Sequence, residues 1–269
     1  SEAIKARGKR YLPMPNPNDL SEENLSRYDA YKTRASFVNF TGHTKEGFNG
    51  MINRKEAEKE LSPSIEYMNA NADGSGGSLN ESMQRTIDEL LQVAGHGLLT
   101  DFPQSEGGTQ AQTAGLQASI KAYPAESILN WDAGIENGQI ITTMVVLEEN
   151  ISKPQEDDPF VKVSEKQYRV LALVDGVYVQ QVYDKDGVLV SESIPKKSDG
   201  SNWREIPFVR AGAIDNSLVP DKSPLYDLAE LNIAHYRNSA DFEESSFIVG
   251  QPTPYLMGLT QQWVDEVLK

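Results

Sequence analysis

The sequence predicts an α+β fold: N-terminal helices, an antiparallel β-meander and a long helix towards the C-terminal end. Apolar residues recur at helical spacing in the first third of the chain, whereas β-branched residues dominate its middle. Residues 223–246, SPLYDLAELNIAHYRNSADFEESS, then combine a helix-capping signal with one charged stripe. Helices followed by strands, rather than alternating with them, are typical of the α+β class.

The first helix is predicted over Ser21–Val38, where apolar residues follow helical spacing and two glutamates precede them. A second helical segment follows, and we expect it to break or bend around Gly47 and Gly50 because glycine is a poor helix former.

The third helix has the clearest predicted start, because Ser78 and Glu81 form an S-x-x-E capping box. Gly95 and Gly97 are expected to end it, and LLTDFP then indicates a short buried strand. A Gly, Gln and Thr-rich stretch at about 104–117 predicts a poorly ordered loop.

The meander is predicted from four β-branched runs: QIITTMVVLEE, KQYRVLALVDG, VYVQQVYDKDG and VLVSESIP. Asp175-Gly176 and Asp186-Gly187 punctuate them, and Asp-Gly pairs are strong hairpin signals. WREIPFV predicts one further strand before the long helix.

The long helix is predicted to begin with Ser223 as N-cap and Pro224 in the first turn, where a missing N–H costs nothing. A 100° projection places its charged residues on one narrow stripe and its apolar residues, Leu231 and Phe242 among them, over most of the remaining surface. The charged residues of the stripe are Asp227, Glu230, Arg237, Asp241 and Glu244. Two interpretations remain open: a helix covering the sheet, or a helix packed between neighbours in a ring.

The charge balance disfavours a phosphate-gripping groove, because 25 Lys and Arg face 40 Asp and Glu, a formal net charge of -15. The absence of cysteine excludes disulfides, thiolate zinc sites and cysteine nucleophiles. No run is apolar enough to predict a membrane span or a signal peptide, so we expect a soluble intracellular protein without membrane partners.

No catalytic or metal-binding motif is found in the sequence. DGSGGS lacks the lysine of a P-loop, and no serine lies in a G-x-S-x-G elbow. His43, His96 and His235 are isolated from one another, so no pair is spaced to bind a metal from one helix face. We therefore expect no enzyme activity, no catalytic residues, no metal site and no cofactor.

Several stretches together resemble a known family. KAYPAE followed by SILNWD, then YRVLAL, REIPFV and above all residues 223–246 look like the portal proteins of tailed bacteriophages, in a subgroup long treated as a domain of unknown function. The resemblance covers most of the chain, from YLPMP to the final predicted helix.

That resemblance implies a structural, non-catalytic role in a homo-oligomeric ring, typically a dodecamer, at one capsid vertex. Double-stranded DNA would be packaged and ejected through the ring without sequence recognition. The implied partners are the large terminase subunit, the head-tail adaptor and the capsid protein, and the implied location is the virion, or the host cytoplasm during assembly. The acidic stripe would face the channel, where its negative charges would form no attractive contacts with the phosphates of DNA.

The domain boundaries expected from the resemblance are a wing-like α+β domain at 1–222, a stem-like helix at 223–246 and the start of a clip-like region at 247–269, truncated relative to portals. Two other functions stay open: a non-viral soluble binding module and a hydrolase that uses unpaired carboxylates.

Overall fold

The chain forms two compact units with boundaries that differ from the predicted ones. In the computed structural model, Ser1–His43 and Asp227–Lys269 make one unit, here the terminal unit, and Thr44–Tyr226 makes the other, the sheet unit. The N-terminal residues therefore group with the long helix. A single domain at 1–222 would instead place them with the sheets. The described residues are 2–103, 116–136, 138–155, 158, 160–197, 199–251, 257–258 and 260–267.

The fold is α+β, as predicted, with helices at both ends of the chain and strands between them. None of the described helices is long and apolar enough to cross a membrane. The helices are α1 (Glu2–Ala6), α2 (Glu22–Arg34), α3 (Phe40–Ile52), α4 (Leu79–Val93), α5 (Tyr226–Gly250) and α6 (Gln261–Val267). Short 3-10 turns occupy Gly8–Arg10, Pro63–Asn69 and Ala125–Ser127.

In the terminal unit, α2 is shorter than the sequence predicted and ends at Arg34 instead of Val38. Ala35 turns the chain out of the helix with a ψ of 133°. The N–H of Ser36 then donates to the hydroxyl of Ser239 on α5, 2.9 Å away, instead of to a carbonyl of α2. A tertiary hydrogen bond thus accompanies the end of this helix.

The core of the terminal unit is rich in tyrosine. The Tyr28 hydroxyl donates to the carbonyl of Leu12 at 2.7 Å, so its polar end is satisfied inside an apolar cluster. The Phe37 ring meets the Tyr236 ring edge-on, with centroids 5.7 Å apart. The buried members of this cluster are Leu12, Met14, Tyr28, Tyr31, Ala35, Tyr236 and Ala240.

The sheet unit holds two antiparallel sheets. The predicted meander is confirmed as a five-stranded sheet in sequential order, made of β3 (Ile128–Glu136), β4 (Gln139–Pro154), β5 (Lys162–Val174), β6 (Val177–Asp184) and β7 (Leu189–Ser193). The second sheet has the order β2-β1-β8, made of β1 (Gly95–Asp101), β2 (Ser119–Pro124) and β8 (Phe208–Gly212).

The turn between β5 and β6 follows the Asp-Gly signal. Asp175 and Gly176 both have positive φ, at 50° and 72°, which places both central residues in the left-handed region that a two-residue hairpin requires. Of the strand predicted from WREIPFV, only Phe208 and Val209 lie in β8, which pairs with β1 and so belongs to the smaller sheet.

Gly95 and Gly97 do not end α4, contrary to the prediction, but lie inside β1. Ala94 ends the helix in the left-handed conformation, with φ of 56°. A Cβ on Gly97 would lie 2.8 Å from the ring of Phe208 and 3.1 Å from Ile128, so only glycine fits beneath that ring. Gly97 therefore makes room for Phe208 of the same sheet and for Ile128 of the larger one. The core between the two sheets consists of Leu99, Tyr123, Ile128, Val145, Leu147, Leu171, Tyr178, Ile206 and Phe208.

The start of α4 is confirmed. The Ser78 hydroxyl accepts from the Glu81 N–H at 3.2 Å, and the Glu81 carboxylate accepts from the Ser78 N–H at 2.7 Å. Of the loop predicted at about 104–117, residues 104–115 lie outside the described residues.

Two glycine substitutions should change stability in opposite directions. Gly97→Ala should lower the free energy of unfolding by about 1–3 kcal/mol, because its Cβ overlaps the Phe208 ring. Gly47→Ala in α3, where a Cβ meets nothing within 4 Å, should raise it by about 0.5–1 kcal/mol. Urea denaturation monitored by circular dichroism measures both, and equal effects would contradict the strand environment assigned to Gly97.

His96 should make stability depend on pH near neutrality. Its side chain on β1 is 3% exposed, both ring nitrogens lack a hydrogen-bond partner among the described residues, and burial lowers its pKa below the ordinary 6.5. As the pH falls, the unfolded chain therefore binds a proton at this histidine before the folded chain does. The stability contributed by the neutral ring is full above pH 6.5 and decreases towards the folded pKa, by at most about 1.4 kcal/mol per pH unit. His96→Leu should remove this slope in denaturation between pH 7.5 and about 5.5. The exposed-site control His235→Gln should keep it, and an unchanged slope in His96→Leu would contradict the assignment.

Candidate functional site on the long helix

The long helix starts and ends later than predicted. α5 begins at Tyr226, so Ser223 and Pro224 precede it, but the Ser223 hydroxyl accepts from the Leu225 N–H at 3.3 Å, as the side chain of a capping residue does. The Ser223 hydroxyl donates to the carbonyl of Gln92 at 2.9 Å, and its own carbonyl accepts from the Tyr226 N–H at 3.1 Å. Ser223 therefore satisfies an otherwise unpaired carbonyl in the last turn of α4, within the sheet unit.

The C-terminal end of α5 extends beyond the predicted stem. The helix continues to Gly250, so residues 247–250, assigned from the sequence to the start of a clip, belong to the same helix. Its 25 residues correspond to a rod of roughly 37 Å at 1.5 Å per residue.

The buried face of α5 carries a residue that the sequence analysis missed. Asn232 lies four residues before Tyr236, and Ala240 four residues after it, and all three are buried. The Asn232 side-chain oxygen accepts from the Thr41 N–H at 3.1 Å, and its amide donates to the carbonyl of Val38 at 2.7 Å. The four-residue spacing was visible in the sequence, but an asparagine between apolar residues gave no sign that it is buried.

The N-terminal half of the predicted stripe is exposed. Asp227 and Glu230 lie on the surface, as do Arg237 and Asp241 further along. Glu244 differs from the rest, because its side chain is only 13% exposed. The helical projection therefore predicted solvent exposure correctly for four of the five residues.

The C-terminal half of the stripe is engaged by the terminal unit itself. Arg237 Nε donates to the carbonyl of Tyr11 at 2.9 Å, and the Tyr31 hydroxyl donates to Asp241 Oδ1 at 2.6 Å. Burial, aided by that hydrogen bond, raises the pKa of Tyr31. These side chains therefore hold the helix to the N-terminal segment and do not form a continuous free surface.

Glu244 is the most strongly paired member of the stripe. Arg27 Nε lies 3.1 Å from its carboxylate, and Arg34 contacts the other oxygen. Burial opposes ionisation, but hydrogen bonds from Arg34 and Arg27 outweigh it and keep the pKa of Glu244 below the ordinary 4.5. Arg34 also covers the Phe247 ring, 4.3 Å from its centroid, which extends the contact by one helical turn.

A second face of α5 is apolar and exposed. Leu231, Phe242 and Val249 are 66%, 69% and 83% exposed, and their spacings of eleven and seven residues place them along one side of the helix. We call these three residues the apolar row. The helical projection predicts packing for Leu231 and Phe242, but the described part of the chain leaves both uncovered.

The histidines do not converge on α5 or elsewhere. His235 meets the Phe40 ring edge-on at 5.5 Å, whereas His96 is buried in the sheet unit. In the described part of the chain, no group of three His, Cys, Asp or Glu side chains could hold a metal ion.

The most organised charged cluster in the sheet unit surrounds Glu149. Its Oε1 accepts from the Tyr123 hydroxyl at 2.6 Å and from Arg169 Nε at 2.7 Å, and its Oε2 accepts from Gln167 at 2.6 Å. Burial raises the pKa of Glu149, but the hydrogen bonds, led by that from Arg169, outweigh it and lower the pKa below its ordinary value. A carboxylate held ionised with both oxygens occupied is poorly suited to exchange protons with a substrate. It joins Tyr123 of the smaller sheet to β4 and β5 of the larger one.

Glu244→Gln should destabilise the terminal unit by roughly 1 kcal/mol at neutral pH, because it removes the charge that Arg27 and Arg34 share. The lowered pKa means that the contribution is full above pH 4.5 and is lost as the pH falls through the folded value, so the difference from wild type should shrink in acid. Chemical denaturation at several pH values measures this. The matched Asp29→Asn, in an exposed pair with Lys32, should change stability by less than about 0.5 kcal/mol; equal effects would contradict the role of Glu244.

Comparison with known proteins provides one family match. A family model described as a domain of unknown function, DUF4055, matches residues 224–268, which include α5 and α6. A comparison with curated proteins found no match. The segment that resembles a known family is therefore the one that carries the buried Asn232 face, the charged stripe and the apolar row.

Proposed function

We propose that this chain is a structural, non-catalytic subunit of a phage portal ring, with α5 as the helix that packs against neighbouring copies. The ring would sit at a capsid vertex and conduct double-stranded DNA during packaging and ejection. Its partners would be further copies of the chain, the large terminase subunit, the head-tail adaptor and the capsid protein, in the virion or in the host cytoplasm during assembly.

The apolar row is the observation that carries this proposal. Its three side chains are large, more than 60% exposed and aligned along one side of a helix that is already packed on another side. Exposed rows of this kind mark protein–protein contacts, because leaving them in water forgoes their burial energy. A helix with one buried face and one exposed apolar face fits a subunit whose neighbour supplies the missing cover.

The stripe supports a narrower version of the channel hypothesis. Asp227 and Glu230 are the exposed acidic positions suited to face DNA, whereas Asp241 and Glu244 bind Tyr31, Arg27 and Arg34. Charge reversal at Asp241 or Glu244 would disturb the terminal unit as well as any channel. Glu230→Lys is therefore the cleaner test of DNA passage.

A binding module outside any virus remains the second candidate, because the apolar row could equally receive a different protein. The hydrolase hypothesis gains no support from Glu149, whose oxygens are occupied. The mass in solution separates the first two: a portal subunit forms rings, and a binding module does not.

The test is the mass of the longest natural form of the chain, by native mass spectrometry or light scattering. We expect a ring of about a dozen subunits, and Phe242→Glu should dissociate it because a buried charge without a partner costs several kcal/mol. Val190→Glu, at a residue of β7 that is 65% exposed, is the matched control and should leave the ring intact. A monomeric wild type, or a ring that tolerates Phe242→Glu, would contradict the proposal.

A further inference from the structure

The N-terminal segment concentrates positive charge in a strongly acidic protein. Residues 2–11 contain four of the 25 Lys and Arg residues of the chain and only one of its 40 Asp and Glu residues. The four cations are Lys5, Arg7, Lys9 and Arg10. Basic clusters of this density are typical of segments that bind polyanions.

This segment is held in place by specific contacts. Lys5 Nζ donates to the carbonyl of Thr33 on α2 at 2.9 Å. Gly8 has a positive φ of 50° and turns the chain, and its carbonyl accepts from the N–H groups of Tyr11 and Leu12 at 3.0 Å. Leu12, which is 1% exposed, then anchors the segment in the core of the terminal unit. The cations are therefore displayed from an ordered support.

A fifth cation joins the segment from the long helix. Arg237 Nε donates to the carbonyl of Tyr11, which is the residue directly after Arg10. Arg10 itself lies 5.7 Å from the centroid of the Tyr11 ring. We call Lys5, Arg7, Lys9, Arg10 and Arg237 the basic surface.

The basic surface is available to a ligand. Arg7, Lys9, Arg10 and Arg237 are exposed, and within the part of the chain that the structure describes none of the four forms an ion pair. In contrast, Arg27 and Arg34 of the same unit are both paired with Glu244. Exposed cations without an ion pair, in a chain with a net charge of -15, can bind an external anion without breaking an existing ion pair.

We infer that the basic surface binds the phosphate backbone of double-stranded DNA. An arginine guanidinium can donate two parallel hydrogen bonds to one phosphate, and three of the five cations are arginines. Arg237 belongs to the stripe that the proposed function turns towards DNA, and its backbone partner Tyr11 directly follows Arg10 of the N-terminal segment. The choice of DNA over an acidic protein rests on that proposed function.

This inference changes the electrostatic picture of the stripe. Glu230 repels phosphate near the start of α5, whereas Arg237 with its N-terminal neighbours attracts it two turns further on. A DNA duplex moving along the helix would pass a region that repels its phosphates and then a region that binds them. The second region would hold phosphates without reading bases.

The test is binding of a fluorescent DNA duplex to the full chain, measured by anisotropy between about 50 and 200 mM salt. With up to five phosphates neutralised, the slope of log K against log salt should approach about -4.5. Arg7→Gln, Lys9→Gln and Arg10→Gln together should weaken binding by roughly tenfold or more and make the slope shallower by about 2.7. Lys162→Gln, Lys185→Gln and Lys196→Gln change the net charge equally at exposed sites of the sheet unit and should leave binding as in wild type.

The outcomes separate this inference from the proposed function, because mass measures ring formation and anisotropy measures DNA binding. Salt-dependent binding that the N-terminal variant loses and the control keeps supports the inference. No binding at low salt, or equal loss in both variants, overturns it even if rings form. A change in mass without a change in DNA binding also overturns it, since the surface would then bind an acidic face of another copy.

Discussion

Burial of one face of α5 against the N-terminal segment is the constraint on which the terminal unit depends. Asn232, Tyr236 and Ala240 recur every four residues on that face and meet residues about 200 positions earlier in the chain. Tyr236 is 1% exposed, and its position in the cluster with Leu12 and Tyr28 unites the two segments in one core. Because each segment alone would leave this core open to water, neither is expected to keep its structure without the other.

That packing decides how the charged side chains of α5 are used. Asn232 exchanges hydrogen bonds with the backbone at Val38 and Thr41, which sets the register of the helix against the N-terminal segment. In this register Arg237, Asp241 and Glu244 reach Tyr11, Tyr31 and the arginines of α2. One face of the helix is thereby closed, another carries exposed acidic residues and a third carries the apolar row. In the ring that we propose, these faces would serve the core of the subunit, the channel and the contact with a neighbour.

The sheet unit is stabilised by two other features, the close packing at Gly97 and the hydrogen bonds of Glu149. Gly97 leaves room for Phe208 on the neighbouring strand of the same sheet and for Ile128 of the larger sheet, which packs close to β1 at that point. Glu149 links the sheets at a second point through Tyr123 and Arg169, with its charge compensated and its oxygens occupied. Both features make this part of the sheet unit rigid, and neither is suited to a change of protonation or shape.

The sequence by itself determined the features that depend on neighbouring residues. The α+β class, the capping box at Ser78 and the hairpin at Asp175-Gly176 follow from local backbone preferences and hydrophobic periodicity. Only the tertiary structure decided that β8 joins the smaller sheet, that Gly95 and Gly97 lie in a strand, and that the N-terminal residues group with α5. It also decided which members of the charged stripe stay exposed, because a helical projection shows direction but not what covers it. Contacts between residues far apart in the chain leave no periodic trace in either segment, and for that reason the sequence could not reveal them.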